Sequence, residues 1–330
     1  MQHRTIANKS VAAVVVTYNR LEMLEKCVAC LKRQSSACGI LVIDNASTDG
    51  TERWLEGRDD VQTFRLERNT GGAGGFNYGM RKAAELGYAF AWVMDDDCLP
   101  EPDALEKLLE ADEILDGGYG WLSSVALWTD GGECRMNRQK LKKNFYERSP
   151  LLKYGLVMAE QATFVSLFLR TDTIRRVGLP IREFFIWGDD IEFTRRIAVR
   201  ENIPCFVAGQ SRVVHAMRDN NGSSIAADRA ERIDRYRYAF RNEAYLYRQE
   251  GVRGVCYYLA KCGLNVLRIL AKAPDRKWKR CGIVVSSMLR GAVFRPRIEM
   301  LSAGGSIATE NGNACAAELT GDADTGRTER

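Results

Sequence analysis

The chain has 330 residues, of which 45% are hydrophobic and 28% are charged. A chain of this length can bury a core that needs no disulfide or metal, and its composition argues against both a disordered and a membrane-spanning protein. The net charge of +5 is unevenly distributed. Residues 229–297 contain 17 Lys and Arg residues against 5 Asp and Glu residues, so we expect this segment to bind anions.

Several features of the sequence predict a cytoplasmic protein. No run of 18 apolar residues occurs, and the first 25 residues lack the apolar stretch and cleavage site of a secretory signal. The ten cysteines are irregularly spaced, which is typical of free thiols in a reducing compartment. Cys27 and Cys30 form a C-x-x-C pair inside a helical pattern, and without a second pair we favour core packing over a zinc or redox site.

The first hundred residues alternate between short apolar runs and helical patterns, which predicts a doubly wound α/β domain with a mostly parallel sheet. Strands are predicted at residues 11–16, 40–43, 63–66 and 89–94, and helices at residues 21–31 and 78–86. Ligands of such sheets bind beyond the carboxyl ends of the strands. The polar clusters TYNR at residue 17, DNASTDG at residue 44 and DDD at residue 95 occupy those ends.

The pattern continues less regularly toward the C-terminus. Helices are predicted at residues 102–115 and 191–200, strands at residues 121–128 and 205–215, a long mobile loop at residues 129–153, and renewed structure at residues 162–169. We expect an α/β domain over residues 1–228, a basic helical extension over residues 229–300 and a disordered tail over residues 301–330.

Residues 255–273 predict an amphipathic basic helix. Four polar residues recur at offsets of 0, 4, 7 and 11, namely Lys261, Asn265, Arg268 and Lys272. The helix could lie on an anionic membrane or dock on the catalytic domain with its basic stripe in water. The basic cluster that follows favours the membrane; its members are Arg276, Lys277, Lys279 and Arg280.

Three consecutive aspartates, Asp95, Asp96 and Asp97, follow the predicted strand at residues 89–94 and precede a predicted helix start. Aspartate is a good helix cap, which accounts for one or two of them. It does not account for three acids directly after a buried strand. Mg²⁺ and Mn²⁺ prefer carboxylate and phosphate oxygens, so we favour a divalent-metal site here.

Two further segments offer groups that could take part in chemistry. His215 ends a predicted strand, and the other histidine, His3, lies near the N-terminus; a lone histidine at such a place is more often a packed or capping residue than a ligand. Asp189, Asp190 and Glu192 follow an aromatic cluster. They fit either a general base whose proton affinity is raised by burial and like charges, or the acidic first turn of a helix.

The glycine-rich segment RNTGGAGGFNYG does not match the dinucleotide-binding pattern, because Asn77 stands where the third glycine is required. The P-loop pattern is also missing from the sequence. Glycines before a helix still allow the backbone to approach a ligand closely, so a sugar or phosphate contact is expected.

Taken together, the segments VVVTYNR, VIDNASTDGT and DDD, with the later acidic pair and histidine, resemble the inverting family 2 glycosyltransferases. That resemblance implies a GT-A fold, a single nucleotide-binding α/β domain. The segments RNTGGAGGFNYGM, WVMDDD, FIWGDDIEFTRR and YRYAFRNEAYL resemble more closely the bacterial galactofuranosyltransferases of galactan synthesis, with rhamnosyltransferases as near relatives. The resemblance covers roughly residues 10–250.

The resemblance implies a role for each matching residue. Asp95 and Asp97 would hold Mn²⁺ or Mg²⁺, and His215 would complete the metal shell. Asp190 would be the catalytic base, with Asp189 beside it and able to exchange roles with it. The donor-binding residues would be Thr17, Asn19, Arg20, Asp44, Asn69, Gly72, Asp96 and Trp187, of which Trp187 would border the transferred sugar and the acceptor.

The resemblance also implies partners. The donor would be UDP-galactofuranose or, alternatively, dTDP-rhamnose, and the acceptor a hydroxyl of a polyprenyl-diphosphate-linked or cell-surface glycan of the cell wall. The basic helices would hold the enzyme on the inner face of the plasma membrane, with no nucleic-acid partner. Two other classes remain open: a basic membrane- or nucleic-acid-binding adaptor, and a nucleotidyltransferase that releases pyrophosphate.

Overall fold

A ten-stranded sheet is the centre of the computed structural model, which describes residues 10–220 and 222–301. The strands are β1 (Val11–Thr17), β2 (Gly39–Asp44), β3 (Gln62–Arg65), β4 (Phe90–Asp95), β5 (Cys98–Pro100), β6 (Leu122–Leu127), β7 (Lys140–Leu141), β8 (Leu156–Gln161), β9 (Leu167–Arg170) and β10 (Phe206–His215). The helices are α1 (Leu21–Lys32), α2 (Thr51–Leu55), α3 (Gly71–Glu85), α4 (Ala104–Ile114), α5 (Thr171–Val177), α6 (Asp189–Arg195), α7 (Tyr236–Arg248), α8 (Gly251–Lys272) and α9 (Lys277–Val293). The predicted tail beyond residue 301, like His3, lies outside the described residues.

The strand order is β3-β2-β1-β4-β9-β6-β10-β8-β7, and β5 pairs with β10. The first four strands are parallel neighbours, and β6 is parallel to β10. Strand β9 runs antiparallel between β4 and β6. The predicted α/β class with a mostly parallel sheet is therefore confirmed.

The core lies on both faces of the sheet. Alternate residues of β1 point to opposite faces, so that Val15 packs with α1 and α4 while Val14 packs with α3. A strand covered on both faces has no polar side. This explains why residues 11–16 are an unbroken apolar run.

Helix α3 begins at Gly71, seven residues before the predicted start at residue 78. The helix itself was predicted, but its start was not. Glycine lowers helix propensity, but here it permits close packing of the helix on β1. A Cβ at Gly75 would lie 2.5 Å from Val16, and one at Gly79 would lie 2.3 Å from Val14. Tertiary packing therefore overrides the local preference.

Replacing Gly79 with Ala is expected to destabilise the fold by about 1–3 kcal/mol, because the added methyl group overpacks a filled core. The new methyl carbon would lie 2.3 Å from Val14 Cγ1 and 3.0 Å from Ile43 Cγ1, and both of these side chains are buried. Thermal unfolding measures the effect. Gly263→Ala in α8 is the matched control, since a Cβ there meets nothing within 4 Å; equal melting temperatures for the two variants would contradict the prediction.

The segment at residues 129–153 contains more structure than predicted. It holds 3₁₀ helices at Arg135–Asn137 and Phe145–Tyr154 and the short strand β7, and β8 follows before residue 162. Cys134 and Asn137 in this segment are buried against the end of β10. The predicted mobility of the loop stays a prediction. The sequence pattern also misses α2, β5 and α5, and the predicted helix at 191–200 begins two residues earlier as α6 and ends in a π-helical turn, Arg196–Arg200.

The C-terminal helices pack together around a core of their own, which includes Phe240, Tyr258 and Ile283. Helix α8 corresponds to the predicted amphipathic helix. Arg280 is an exception to the predicted basic surface, because its side chain is fully buried and donates to the carbonyl oxygens of Ile225 and Asp228. Among the residues the structure describes, no helix combines the length and the apolarity needed to cross a bilayer.

Candidate active site

The carboxyl ends of β1, β2 and β4 meet at one edge of the sheet. Thr17 pairs with Asp44 across β1 and β2, and Val16 pairs with Asp95 across β1 and β4. Just beyond β4, the short strand β5 pairs antiparallel with β10, which sets Cys98 opposite His215. The aspartates and a histidine more than a hundred positions later in the sequence therefore share one site.

A compact group of potential metal ligands lies at this edge. One ligand atom each from Asp95, Asp97 and His215 lies within 4.8 Å of the others, and His215 Nε2 is 3.1 Å from Asp97 Oδ1. Two carboxylates and an imidazole form a donor set that accepts a divalent cation such as Mn²⁺. These three residues therefore fit the metal predicted from the sequence, although they do not identify it.

Asp96 points away from this group, toward the end of β1. Its carboxylate accepts a hydrogen bond of 2.8 Å from the Thr17 hydroxyl and lies 3.0 Å from Arg20 Nη1. The other guanidinium nitrogen of Arg20 donates to Asp97 Oδ2 at 2.7 Å. Asp96 thus contacts both Thr17 and Arg20, and Arg20 joins them to the metal group through Asp97. All three were predicted to bind the donor.

The electrostatics of the site are those of crowded, buried acids. Burial, reinforced by the charge of Asp97, raises the pKa of Asp95 to about 7, and burial raises the pKa of Asp96 to about 6. Burial also acts to raise the pKa of Asp97, but the hydrogen bond and charge of His215 and the charge of Arg20 outweigh it and lower that pKa to about 2. Burial lowers the pKa of His215, yet its bond to Asp97 prevails and raises it to about 10. Such a set of acids is stabilised by any cation placed among them.

The sequence gives no sign of two residues that contact His215. Its Nδ1 lies 2.7 Å from Asn137 Oδ1 and 3.8 Å from the thiol of Cys134. The amide of Asn137 donates through Nδ2 to Thr163 Oγ1, so its oxygen faces the imidazole. Because that oxygen only accepts, Nδ1 carries the hydrogen, and in neutral His215 the lone pair is then on Nε2, which faces Asp97.

Replacing Asn137 with Ala is expected to weaken metal binding by about 10–100-fold, the usual effect of removing a partner that orients a metal-binding histidine. Calorimetric titration with Mn²⁺ measures the change. Asn144→Ala is the control, since Asn144 lies in the same segment and its amide nitrogen donates to Glu147. Equal Mn²⁺ affinities for both variants would show that Asn137 does not orient the histidine.

The predicted acidic pair lies at the start of α6. Burial, with the charges of Asp190 and Asp95, raises the pKa of Asp189 well above its usual value. Burial raises the pKa of Asp190 to about 6, although its carboxylate accepts a 2.7 Å hydrogen bond from the backbone N–H of Ile191. The charge of Asp95 is among the causes of the raised pKa of Asp189, so the acidic pair lies within electrostatic reach of the metal group.

The side chains of Asp44 and Asn19 make hydrogen bonds to other groups of the protein. The buried carboxylate of Asp44 pairs with Arg65 and accepts a hydrogen bond from the backbone N–H of Ser47. Asn19 has a φ of 53° and accepts a 2.6 Å hydrogen bond from the backbone N–H of Thr48. Both residues shape the loops at the carboxyl edge, and their contact with a nucleotide stays a prediction.

The remaining predicted donor-binding residues lie around the start of α3 and the loop before α6. Asn69 accepts a hydrogen bond of 2.8 Å from the backbone N–H of Gly71, and Gly72 lies in the first turn of that helix. Trp187 is half-buried, with its ring 5.1 Å from the ring of Tyr236. Their roles in binding also stay predictions.

Comparison with known proteins finds a family match over part of the chain. Residues 12–163 match the protein family described as Glycosyl transferase family 2. The chain is 27% identical to galactofuranosyltransferase GlfT1 of Mycolicibacterium smegmatis over 74% of its own length and 84% of that protein. GlfT1 of Mycobacterium tuberculosis is 28% identical with the same coverage. Undecaprenyl-phosphate mannosyltransferase of Micrococcus luteus is 29% identical over 57% of this chain and 77% of that protein.

Solved structures with the same fold are also glycosyltransferases. The UDP complex of Staphylococcus aureus TarS, residues 1–349, has a TM-score of 0.50 at 16% identity, covering 86% of this chain and 72% of that one. GalNAc-T7 with UDP, GalNAc and Mn²⁺ has a TM-score of 0.53 at 16% identity, covering 73% and 51%. At this identity the likeness concerns the fold alone, and it confirms the GT-A architecture. Residues 12–163 thus match the family 2 glycosyltransferases, and the chain is a glycosyltransferase.

Proposed function

We propose that this protein is an inverting, metal-dependent transferase that moves galactofuranose from UDP-galactofuranose to a hydroxyl of a lipid-linked or cell-surface glycan. The observation that carries the proposal is the potential metal group of Asp95, Asp97 and His215, in which the charge of Asp95 acts on the buried acidic pair Asp189 and Asp190. The first group suits a metal-bound diphosphate, and the second suits the attacking hydroxyl. The GlfT1 similarity supports galactofuranose as the sugar and the cell wall as the setting.

Asp95, Asp97 and His215 would hold Mn²⁺ or Mg²⁺, which when bound supplies a positive charge to offset that of the departing nucleoside diphosphate. Arg20 already bridges Asp96 and Asp97, and it keeps the acids in place. The residues at the ends of β1 and β2 and at the start of α3 would bind the nucleotide sugar; they are Thr17, Asn19, Arg20, Asp44, Asn69, Gly72 and Asp96.

Asp190 is the better candidate for the base. Asp190 is only partly buried and its pKa of about 6 leaves it ionised at neutral pH, whereas Asp189 is buried and burial raises its pKa well above the usual value. Asp190 would accept the proton of the acceptor hydroxyl while the oxygen attacks the anomeric carbon. The attack comes from the face opposite the leaving diphosphate, so the configuration inverts. Asp189 and Trp187 would border the transferred sugar and the acceptor.

The proposed acceptor explains the surface of the C-terminal helices. Trp278 is 83% exposed and Leu267 is 64% exposed, and basic residues such as Arg268 and Lys277 lie near them in the sequence. Apolar side chains flanked by Lys and Arg suit the surface of an anionic membrane. We therefore place the enzyme on the inner face of the plasma membrane, where a polyprenyl-linked acceptor would be found.

The donor assay tests the proposal. Purified protein is incubated with Mn²⁺, a prenyl-linked saccharide and either UDP-galactofuranose or dTDP-rhamnose, and the released nucleotide and the product linkage are determined. Acceptor-dependent release of UDP with an inverted linkage supports the proposal. Release of dTDP instead would replace galactofuranose with rhamnose, and release of neither would remove the proposed substrate.

The membrane proposal predicts sedimentation with vesicles. We expect the protein to sediment with vesicles rich in phosphatidylglycerol, to remain in the supernatant with phosphatidylcholine alone, and to lose affinity at high salt because surface charges are screened. Trp278→Ser should weaken the binding, while Tyr146→Ser, which removes an exposed aromatic ring from another part of the surface, should not. Equal sedimentation with both lipids would contradict an electrostatic contribution.

A further inference from the structure

The loop that precedes the acidic pair has an unusual backbone. Phe185 has φ and ψ angles of 64° and −59°, and Trp187 has a φ of 67°. Residues with a Cβ rarely adopt positive φ, and they persist there only where the surroundings fix them. Gly188, with a φ of 89°, then leads directly into α6 and the acids.

Helix α7 stabilises this backbone conformation through the side chain of Asn242. This side chain is buried, and its Nδ2 lies within hydrogen-bond distance of three backbone carbonyl oxygens: 3.0 Å from Phe184, 3.1 Å from Ile186 and 2.8 Å from Trp187. One amide group thus holds both sides of the turn that contains Phe185. A backbone carbonyl buried without a donor is costly, and the amide adds a donor for the carbonyl groups of this loop, of which that of Phe184 also accepts from the backbone N–H of Ile186.

Arg241 extends the same contact and orients the amide. Its Nη2 donates to the carbonyl oxygen of Glu183 at 2.6 Å and to Asn242 Oδ1 at 2.9 Å. Because a guanidinium only donates, this bond turns the amide oxygen away from the loop and the Nδ2 toward it.

The opposite side of the loop rests on the start of α3. The backbone N–H of Ala73 donates to the carbonyl oxygen of Phe185 at 3.1 Å. A Cβ at Gly71 would lie only 1.9 Å from that oxygen, so glycine is required for the approach. The loop is therefore held between α3, which belongs to the family 2 domain, and α7, which the sequence assigns to a separate basic extension.

We propose that Asn242 and Arg241 are positioning residues for sugar transfer, through which the C-terminal helices hold the loop at residues 183–188 and so set the direction of Asp190. The inference rests on the proposed function for its kinetic consequence. It makes α7 part of the catalytic unit, whatever the remaining C-terminal helices do at a membrane. A base displaced by about 1 Å loses on the order of 100-fold in rate.

The test combines amide hydrogen exchange with steady-state kinetics on the full chain. Asn242→Ala should speed exchange of the amides at residues 184–192, leave that of β4 unchanged, and lower kcat by about 100-fold with the donor KM within about threefold. Asn265→Ala is the matched control. That residue lies on α8 and its amide nitrogen donates only to Lys261 within the same helix, so both measurements should match the unsubstituted protein.

A second variant guards against a folding defect. Arg241→Met keeps a long unbranched side chain at this position but removes the guanidinium, which lies over the ring of Phe294 and bonds to the loop and to Asn242. Its exchange and kcat should change in the same direction. Unchanged exchange at residues 184–192 in both variants would overturn the inference, as would faster exchange with an unaltered kcat. The exchange result does not depend on the donor, so it remains decisive even if the substrate proposal fails.

Discussion

Replacing Asp190 with Asn is expected to lower the rate of sugar transfer by about 10²–10⁴-fold, the range attributed to a positioned general base. The substitution preserves the size of the side chain and can still accept the hydrogen bond from the backbone N–H of Ile191. It removes the basic oxygen that would take the acceptor proton. Binding of UDP and Mn²⁺ should be unchanged, because the metal group consists of other residues.

The pKa of Asp190 also predicts how the rate of sugar transfer falls at acidic pH. Burial raises the pKa of Asp190 to about 6, and only the ionised form can accept a proton. The rate at saturating donor should therefore rise with pH through about 6 and level off above it. Initial rates between pH 4.5 and pH 8 in the unsubstituted protein, and loss of that limb in Asp190→Asn, check the assignment.

Asp172→Asn is the control for the change of charge, since Asp172 lies on α5 with its side chain 88% exposed. It should transfer sugar at the unsubstituted rate. If Asp190→Asn is equally active, Asp190 is not the base. A large loss in Asp189→Asn alone would then assign that role to Asp189.

Sequence patterns predicted those strands whose own residue types reflect how they are buried. The apolar run at residues 11–16 follows from burial on both faces, and the aspartates at residue 95 follow from the end of a buried parallel strand. Because such ends share one edge of the sheet, the proximity of Thr17, Asp44 and Asp95 was also predictable.

What escaped prediction depends on contacts between distant segments. Asn137 lies outside the quoted motifs, and Asn242 lies in the segment YRYAFRNEAYL without a predicted role; each matters because folding brings it to His215 or to the loop at residues 183–188. The start of α3 at Gly71 was missed because helix propensity opposes it, while packing against Val14 and Val16 requires it. The domain boundary at residue 228 stays a prediction; composition changes there, while contacts to the acidic loop continue beyond it through Arg241 and Asn242.

Replacing Asp97 with Asn should abolish Mn²⁺-dependent nucleotide binding and lower sugar transfer by about 10³-fold. Asp97 is the residue on which the site converges: its carboxylate contacts Arg20 at 2.7 Å and His215 at 3.1 Å and belongs to the potential metal group. Loss of one anionic ligand weakens the hold on the ion. The several kcal/mol that a Lewis acid contributes to the transition state correspond to about 10³-fold in rate.

The change at Asp97 also acts on the histidine. The pKa of His215 is raised to about 10 chiefly because its bond to Asp97 outweighs burial, so Asp97→Asn should lower that pKa as well.

Calorimetry with UDP in the presence and absence of Mn²⁺ measures the loss of nucleotide binding in Asp97→Asn, and the rate of UDP release measures the loss of sugar transfer. Asp103→Asn, a nearby aspartate whose side chain makes no capping hydrogen bond at the start of α4, is the control. If Asp97→Asn bound UDP with undiminished dependence on Mn²⁺, the ion would have to be held elsewhere, and the crowded acids at the end of β4 would serve the fold rather than the donor.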